Sequence, residues 1–234
     1  MDYVNEFLFG FYPYLCMVVY FLGSWARFDR SQYTWRSQSS QLLRRKQLIV
    51  GSILFHVGIL LLFCGHFFGL LTPPEVYTSL GLPVKAKQLM AAIAGGVFAA
   101  ICFAGLTLLI HRRLFDRRIR LTSKKTDIFI LLFIYVQLII GMAGIPFSIQ
   151  DADGGNMLVM AEWARSILLF KAGSAHLLAT VPWIYKIHIV FGMTLFLLTP
   201  FTRLVHIFSA PIWYLGRPGY QIVRRARNLG RGAV

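Results

Sequence analysis

Apolar residues run in long blocks along this chain, separated by short polar stretches in which arginine recurs. A helix needs roughly 20 mainly apolar residues to cross a bilayer. Five blocks reach that length: 7–26, 48–71, 89–110, 128–149, and 181 to beyond 202. Pro73, Pro74 and Pro83 punctuate the stretch after the second block, as a helix stop requires. The pattern predicts an all-α fold, an integral membrane bundle of five transmembrane helices forming a single domain over 1–234. Between the fourth and fifth blocks, residues 156–171 place Met157, Met160, Ala161, Ala164, Ile167 and Leu168 on one helical face. That spacing predicts a short helix, either lying on the membrane surface or packed as an ordinary loop helix.

Composition strengthens the membrane reading. The chain is 57% hydrophobic and 14% charged, against about 25% charged residues in a typical soluble domain. A net charge of +15 could suggest nucleic acid, but such a binder shows its basic patch on a water-soluble fold. Here the basic residues lie in blocks between apolar runs, where they face lipid headgroups and one side of a membrane, and no nucleic-acid partner is expected. Nineteen Lys and Arg fall after the first block, after the third, and from the end of the fifth onward. Only Lys85, Lys87, Arg165, Lys171 and Lys186 fall on the other side. The positive-inside rule then puts the N-terminus outside and the C-terminus in the cytoplasm. The start, MDYVNE, enters an apolar segment directly, so no removable signal peptide is expected.

Cys16, Cys64 and Cys102 lie inside apolar blocks without CxxC or CxxCH spacing, which leaves a disulfide framework, a zinc site and covalent haem attachment unsupported. The histidines carry more. His56 and His66 lie in the second block, and His188 and His206 in the fifth. Ionisable groups at membrane depth are costly and mark function unless they are partnered. With the second and fifth helices antiparallel, His66 and His188 pair near the outer face, and His56 and His206 near the cytoplasm. Two bis-histidine sites suit two haems rather than zinc, which prefers four protein ligands. With both axial positions filled, electron transfer is the chemistry left. His111 and His176 have no partner at matching depth and are read as solvated.

Helical pitch sets a condition on this pairing. His56 and His66 are ten residues apart, about 15 Å of rise, while His188 and His206 are eighteen apart, about 27 Å. Straight parallel helices cannot satisfy both pairs. The fifth helix must tilt or bend, with Pro200 the expected kink, and the two sites must be offset laterally. Gly58, Gly65, Gly69 and Gly192 lie close to the histidines, where they either admit a cofactor or pack helices.

The motifs GSWARFDRSQYTWRSQSSQ, LFHVGILLLFCGHFFGLLTP and IHIVFGMTLFLLTPFTRLVHIFSAP resemble the gamma (cytochrome b) subunit of membrane-bound respiratory nitrate reductase. The resemblance implies two b haems, the distal one held by His66 and His188 and the proximal one by His56 and His206. It implies a quinol site by the distal haem that uses a lysine at the outer end of the third helix. Lys87, in LPVKAKQLMA, stands there with Lys85 close by, and Gly65 and Gly69 would leave room for the quinone ring. On physical grounds Lys87 could equally be a snorkelling anchor. The implied partners are a cytoplasmic iron–sulfur beta subunit and a molybdenum-containing alpha subunit that reduces nitrate, with protons released outside a bacterial inner membrane. The basic inner loops, 27–46 above all, are a docking face, a topology signal, or both. The alternative keeps the haems but changes the partner, as in the membrane anchor of a hydrogenase or formate dehydrogenase.

Overall fold

The computed structural model describes residues 2–35, 43–151 and 153–209. Arg36 and the basic tail from Arg217 to Arg231 lie outside them. Among the described residues every element is helical. Five helices are long and apolar enough to span a membrane: α1 (Tyr3–Thr34), α2 (Arg45–Leu71), α4 (Val84–Phe115), α6 (Lys125–Gln150), and α9 (Trp183–Leu198) with the 3-10 turn Thr199–Phe201 that continues it. Four short helices join them: α3 (Pro74–Ser79), α5 (Arg117–Thr122), α7 (Gly155–Leu168) and α8 (Ser174–Leu177). Most of the spans run longer than the apolar pattern predicts, because polar turns continue the helix beyond the lipid-compatible stretch. Pro74 starts α3 rather than only ending its predecessor, since a first-turn proline gives up no helical hydrogen bond.

From the second span onward each packs on the next, α2 on α4, α4 on α6 and α6 on α9, and the fifth span, α9, packs on the first, α1. Glycine sets the tightest of these contacts. A Cβ at Gly58 would stand 2.6 Å from the Cys102 nitrogen, and one at Gly105 only 2.3 Å from the Phe55 nitrogen. Only hydrogen in place of a side chain lets the α2 and α4 backbones approach so closely. Gly58 is therefore a packing residue. The α4–α6 core consists of Ala99, Cys102, Leu106, Ile130, Ile134 and Leu138. A second core, around Phe9, Trp163, Ile167, Leu178 and Tyr185, ties α1, α7 and α9 together at the opposite end from the basic loops.

Two prolines shape the spans. Pro13 has no N–H to offer the Phe9 carbonyl one turn back; α1 widens into a π-helical turn at Phe7–Phe11, and the Trp163 indole donates to that carbonyl at 2.9 Å. In the fifth span, α-helix ends at Leu198, Pro200 sits in a 3-10 turn, and Thr202 is extended (φ −123°, ψ −176°) before a second 3-10 segment, Arg203–Ser209. The expected helix running past Thr202 is thus a broken one, and the break lies at Pro200.

One face of helix α7 packs against protein. Ala161, Trp163, Ser166 and Ile167 are buried, while Leu168, expected on the inner face, is about half exposed. Trp163 replaces Leu168 there because it reaches the carbonyl freed by Pro13. All three cysteines are free.

Candidate functional site

The four histidines come together as two pairs. The His66 and His188 ring centres are 6.0 Å apart with planes inclined by 33°. The His56 and His206 rings are 6.3 Å apart, inclined by 76°. Three of the four rings are fixed at Nδ1 by a backbone carbonyl: His56 by Ser52 at 2.7 Å, His66 by Leu62 at 2.8 Å, and His206 by Arg203 at 2.6 Å. Each Nδ1–H donates, which sets the tautomer and leaves Nε2 as the free lone pair, the arrangement usual in metal-bound histidine.

His188 is held differently. Gln137 Nε2, from α6, donates to the His188 carbonyl at 3.0 Å and lies 3.4 Å from the ring Nε2. His188 Nδ1 and Gln137 Oε1 are buried without a hydrogen-bond partner among the described residues. Buried unpaired polar atoms are rare and call for a ligand or other explanation. The ring lies flush on α6 at Gly141, where a Cβ would stand 2.7 Å from His188 Cε1.

These distances suit one metal ion between each pair. An imidazole nitrogen binds a transition metal at about 2.0 Å and its ring centre lies roughly 1 Å further out, so two axial rings stand about 6 Å apart. Among the described residues no group of three His, Cys, Asp or Glu comes together as a metal cluster. Each site offers two protein ligands, which fits a metal that brings its own equatorial ring. The pairs are carried by α2 on one side and by α9 with the 3-10 segment Arg203–Ser209 on the other; α2 packs chiefly on α4, and α9 on α6 and α1, and the imidazoles face one another across the interval. The residues fit haem.

Lys87 is turned inward. Its Nζ donates to the Gly69 carbonyl at 3.0 Å and sits 4.0 Å from the centre of the Tyr77 ring, and the residue is 8% exposed. That burial is incompatible with a lysine snorkelling to headgroups. A Cβ at Gly65 or Gly69 would meet no atom within 4 Å, so neither glycine packs against another helix among the described residues. A Cβ at Gly192 would stand 3.3 Å from Gln137 Nε2. Arg165 reaches across from α7 to the Leu70 and Thr72 carbonyls at 3.4 and 3.5 Å, and pairs with Glu162 at 2.7 Å. The hydrogen bond from Arg165 holds the Glu162 carboxyl below its ordinary pKa.

The remaining histidines lie apart from both pairs. His111 is exposed, stacked on Phe115, with Gln47 at 3.2 Å. His176 is exposed with the Glu6 carboxylate 3.9 Å away.

The profile described as nitrate reductase gamma subunit matches residues 5–226. The chain belongs to the nitrate reductase gamma subunit family. It is 48% identical to the respiratory nitrate reductase 2 gamma chain of Escherichia coli (strain K12), over 97% of this chain and all of that one. It is 39% identical to the nitrate reductase gamma chain of Bacillus subtilis (strain 168), over 94% of this chain and 98% of the other. A more distant relative is the Hdr-like menaquinol oxidoreductase cytochrome b-like subunit of Archaeoglobus profundus, 28% identical over 70% of this chain and 47% of its own length. As a gamma-family member with five spanning helices, the chain is a multi-pass protein of the bacterial inner membrane and a component of a nitrate reductase complex.

Sequence reasoning named the four histidines and Lys87. It missed Gln137, Gly141 and Tyr77. Gln137 was discoverable as a lone amide inside an apolar span, since such a group needs a partner. Gly141 and Tyr77 carry no such signal.

Proposed function

We propose that this chain is the quinol-oxidising cytochrome b subunit of a respiratory nitrate reductase. It holds two b haems, one by His66 and His188 and one by His56 and His206. It takes electrons from quinol beside the first pair, releases protons outside, and delivers electrons at its basic face. There an iron–sulfur beta subunit would receive them for a molybdenum-containing alpha subunit. The observation that carries the reading is the pair of imidazole–imidazole separations, 6.0 and 6.3 Å, both matching two axial ligands on one metal ion.

Haem b, held by these histidines, would supply reversible one-electron transfer. The protein supplies the rest. Carbonyls of Ser52, Leu62 and Arg203 aim three of the rings, and Gln137 holds the His188 backbone. Lys87 offers a buried N–H donor beside Gly69, on the same helix and within one turn of His66. An ammonium placed there binds a quinol oxygen and favours its losing a proton. On this reading the His56–His206 end faces the cytoplasm, as the excess of basic residues in the loops at that end favours. Moving one electron inward against 100 mV costs about 2.3 kcal/mol, so quinol oxidation must drive it downhill.

The likeness to a menaquinol oxidoreductase subunit supports a second reading, in which the same haems and quinol serve a different cytoplasmic partner. Subunits that co-purify with the chain separate the two. The central test is optical. The purified complex should show two low-spin b centres per chain, with His66→Ala removing one and His56→Ala the other. A purified complex without a Soret band would overturn the proposal.

A further inference from the structure

A break in an α-helix takes backbone carbonyls out of the i+4 ladder, and the break at Pro200 and Thr202 immediately precedes the turn that carries His206. Two carbonyls at this break accept from one side chain. Arg27 Nη1, from α1, donates to the Pro200 oxygen at 2.7 Å and to the Thr202 oxygen at 2.6 Å. Its Nη2 donates to the Thr34 carbonyl at 3.1 Å and its Nε to the Thr34 hydroxyl at 3.4 Å. All three guanidinium nitrogens are engaged, and every partner lies at the break or at the start of the first basic loop.

Other contacts hold the same segment. Phe208 packs on Tyr20 and Trp35, with ring centres 5.2 and 5.9 Å apart. Arg203 lies 4.0 Å from the buried carboxylate of Asp127, which Arg113 also approaches at 3.5 Å. These fix side chains on the turn. Arg27 grips the backbone at its entrance from another helix, and the Arg203 carbonyl that orients the His206 ring follows Thr202 directly.

We propose that Arg27 is a positioning residue for the inner bis-histidine site, fixing the backbone break that brings His206 opposite His56 and tying it to Thr34 at the mouth of the first basic loop. This rests on reading His56 and His206 as haem ligands. An arginine needed only as a positive-inside signal would have no use for bonds to carbonyls 173 and 175 residues away. The planar fork matters as much as the charge, because an ammonium cannot reproduce its fixed directions.

The test is electron paramagnetic resonance of the purified complex, in which the two low-spin centres give separate signals. In Arg27→Gln the inner signal should shift or be lost, with affinity for that haem falling about ten-fold, the lower end of the range for outer-shell support. The outer signal should keep its position and amplitude. Arg27→Lys should shift the inner signal less. An unmoved inner signal in Arg27→Gln overturns the proposal. So does an equal loss of both signals in both Arg27 variants, which would mark general destabilisation. If Arg27→Gln does not assemble, Arg27→Lys is judged by the same criteria. Absence of both signals from the unmodified complex would instead overturn the haem assignment itself.

Discussion

On the proposed haem reading, Gly141 separates packing from ligation at the His66–His188 (outer) site, so Gly141→Ala is a sharp perturbation. An alanine Cβ there would stand 2.7 Å from His188 Cε1 and 3.3 Å from Nδ1. To reach ordinary contact near 3.4 Å the ring must retreat by roughly 0.7 Å. A side chain makes that retreat by a small torsional swing, which costs less than the roughly 0.5–1.5 kcal/mol of a 30° departure from a rotamer. The fold should therefore survive. Ligation should not, because the same displacement is about a third of a metal–nitrogen bond of about 2.0 Å. The ligand effect wins. Haem content should fall from two per chain toward one, with affinity at the outer site lower by about 10–100-fold. The inner low-spin signal should stay near its unmodified value, and the melting temperature in detergent should fall only by as much as loss of the outer haem accounts for. Gly96→Ala is the control, since its Cβ would meet only Ile145 Cδ1, at 3.6 Å. An unchanged outer signal in Gly141→Ala, or loss of the inner one in its place, would refute the reasoning.

Two further predictions probe the helix contact and the quinol end. Gly105→Val forces a side chain into the Phe55 and Gly51 backbones, at 2.3 and 2.8 Å, and neither can yield. Overpacking of this kind costs about 1–3 kcal/mol, and thermal melts in detergent should register the loss; an unchanged melt would mean that α2 and α4 do not pack this closely. Lys87→Gln should leave both haems in place, while reduction by quinol slows about 10–150-fold, as expected for a lost charged hydrogen bond worth about 1.5–3 kcal/mol. Unimpaired quinol-driven reduction would assign Lys87 to the Gly69 and Tyr77 contacts alone.

The five spans were legible because crossing a membrane requires long apolar runs, and few other structures produce them. The side chains that set the site's precision were not, for a physical reason. Gly58 and Gly65 lie seven residues apart on one helix, yet one allows two backbones to touch and the other faces no atom within 4 Å. Which is which depends on how the helices are rotated about their axes, and hydrophobicity that is nearly uniform around α2 does not encode that rotation. Gln137 and Arg27 were visible as polar residues in or beside apolar blocks, but their partners lie 51 and 173 residues away. In α7, pattern alone put Leu168 inward, whereas the Phe9 carbonyl that Pro13 leaves without its donor draws Trp163 there.

The spacing mismatch between the histidine pairs carries more information than either pair alone. From His66 back to His56, α2 descends ten residues. From His188, α9 descends the same ten residues to Leu198, and there its α-helix ends. The two helices thus cover equal rises of about 15 Å between the first histidine pair and the level of the second. At that level a straight continuation would carry His206 roughly 12 Å too far along the axis. The eight remaining residues instead pass through a 3-10 turn, an extended Thr202 and a second 3-10 segment, which bring the imidazole to 6.3 Å from His56. Pro200 lies two residues past Leu198, where the helix must stop. The unequal spacings follow from one descending helix that meets its partner at the top and must turn sideways to meet it again.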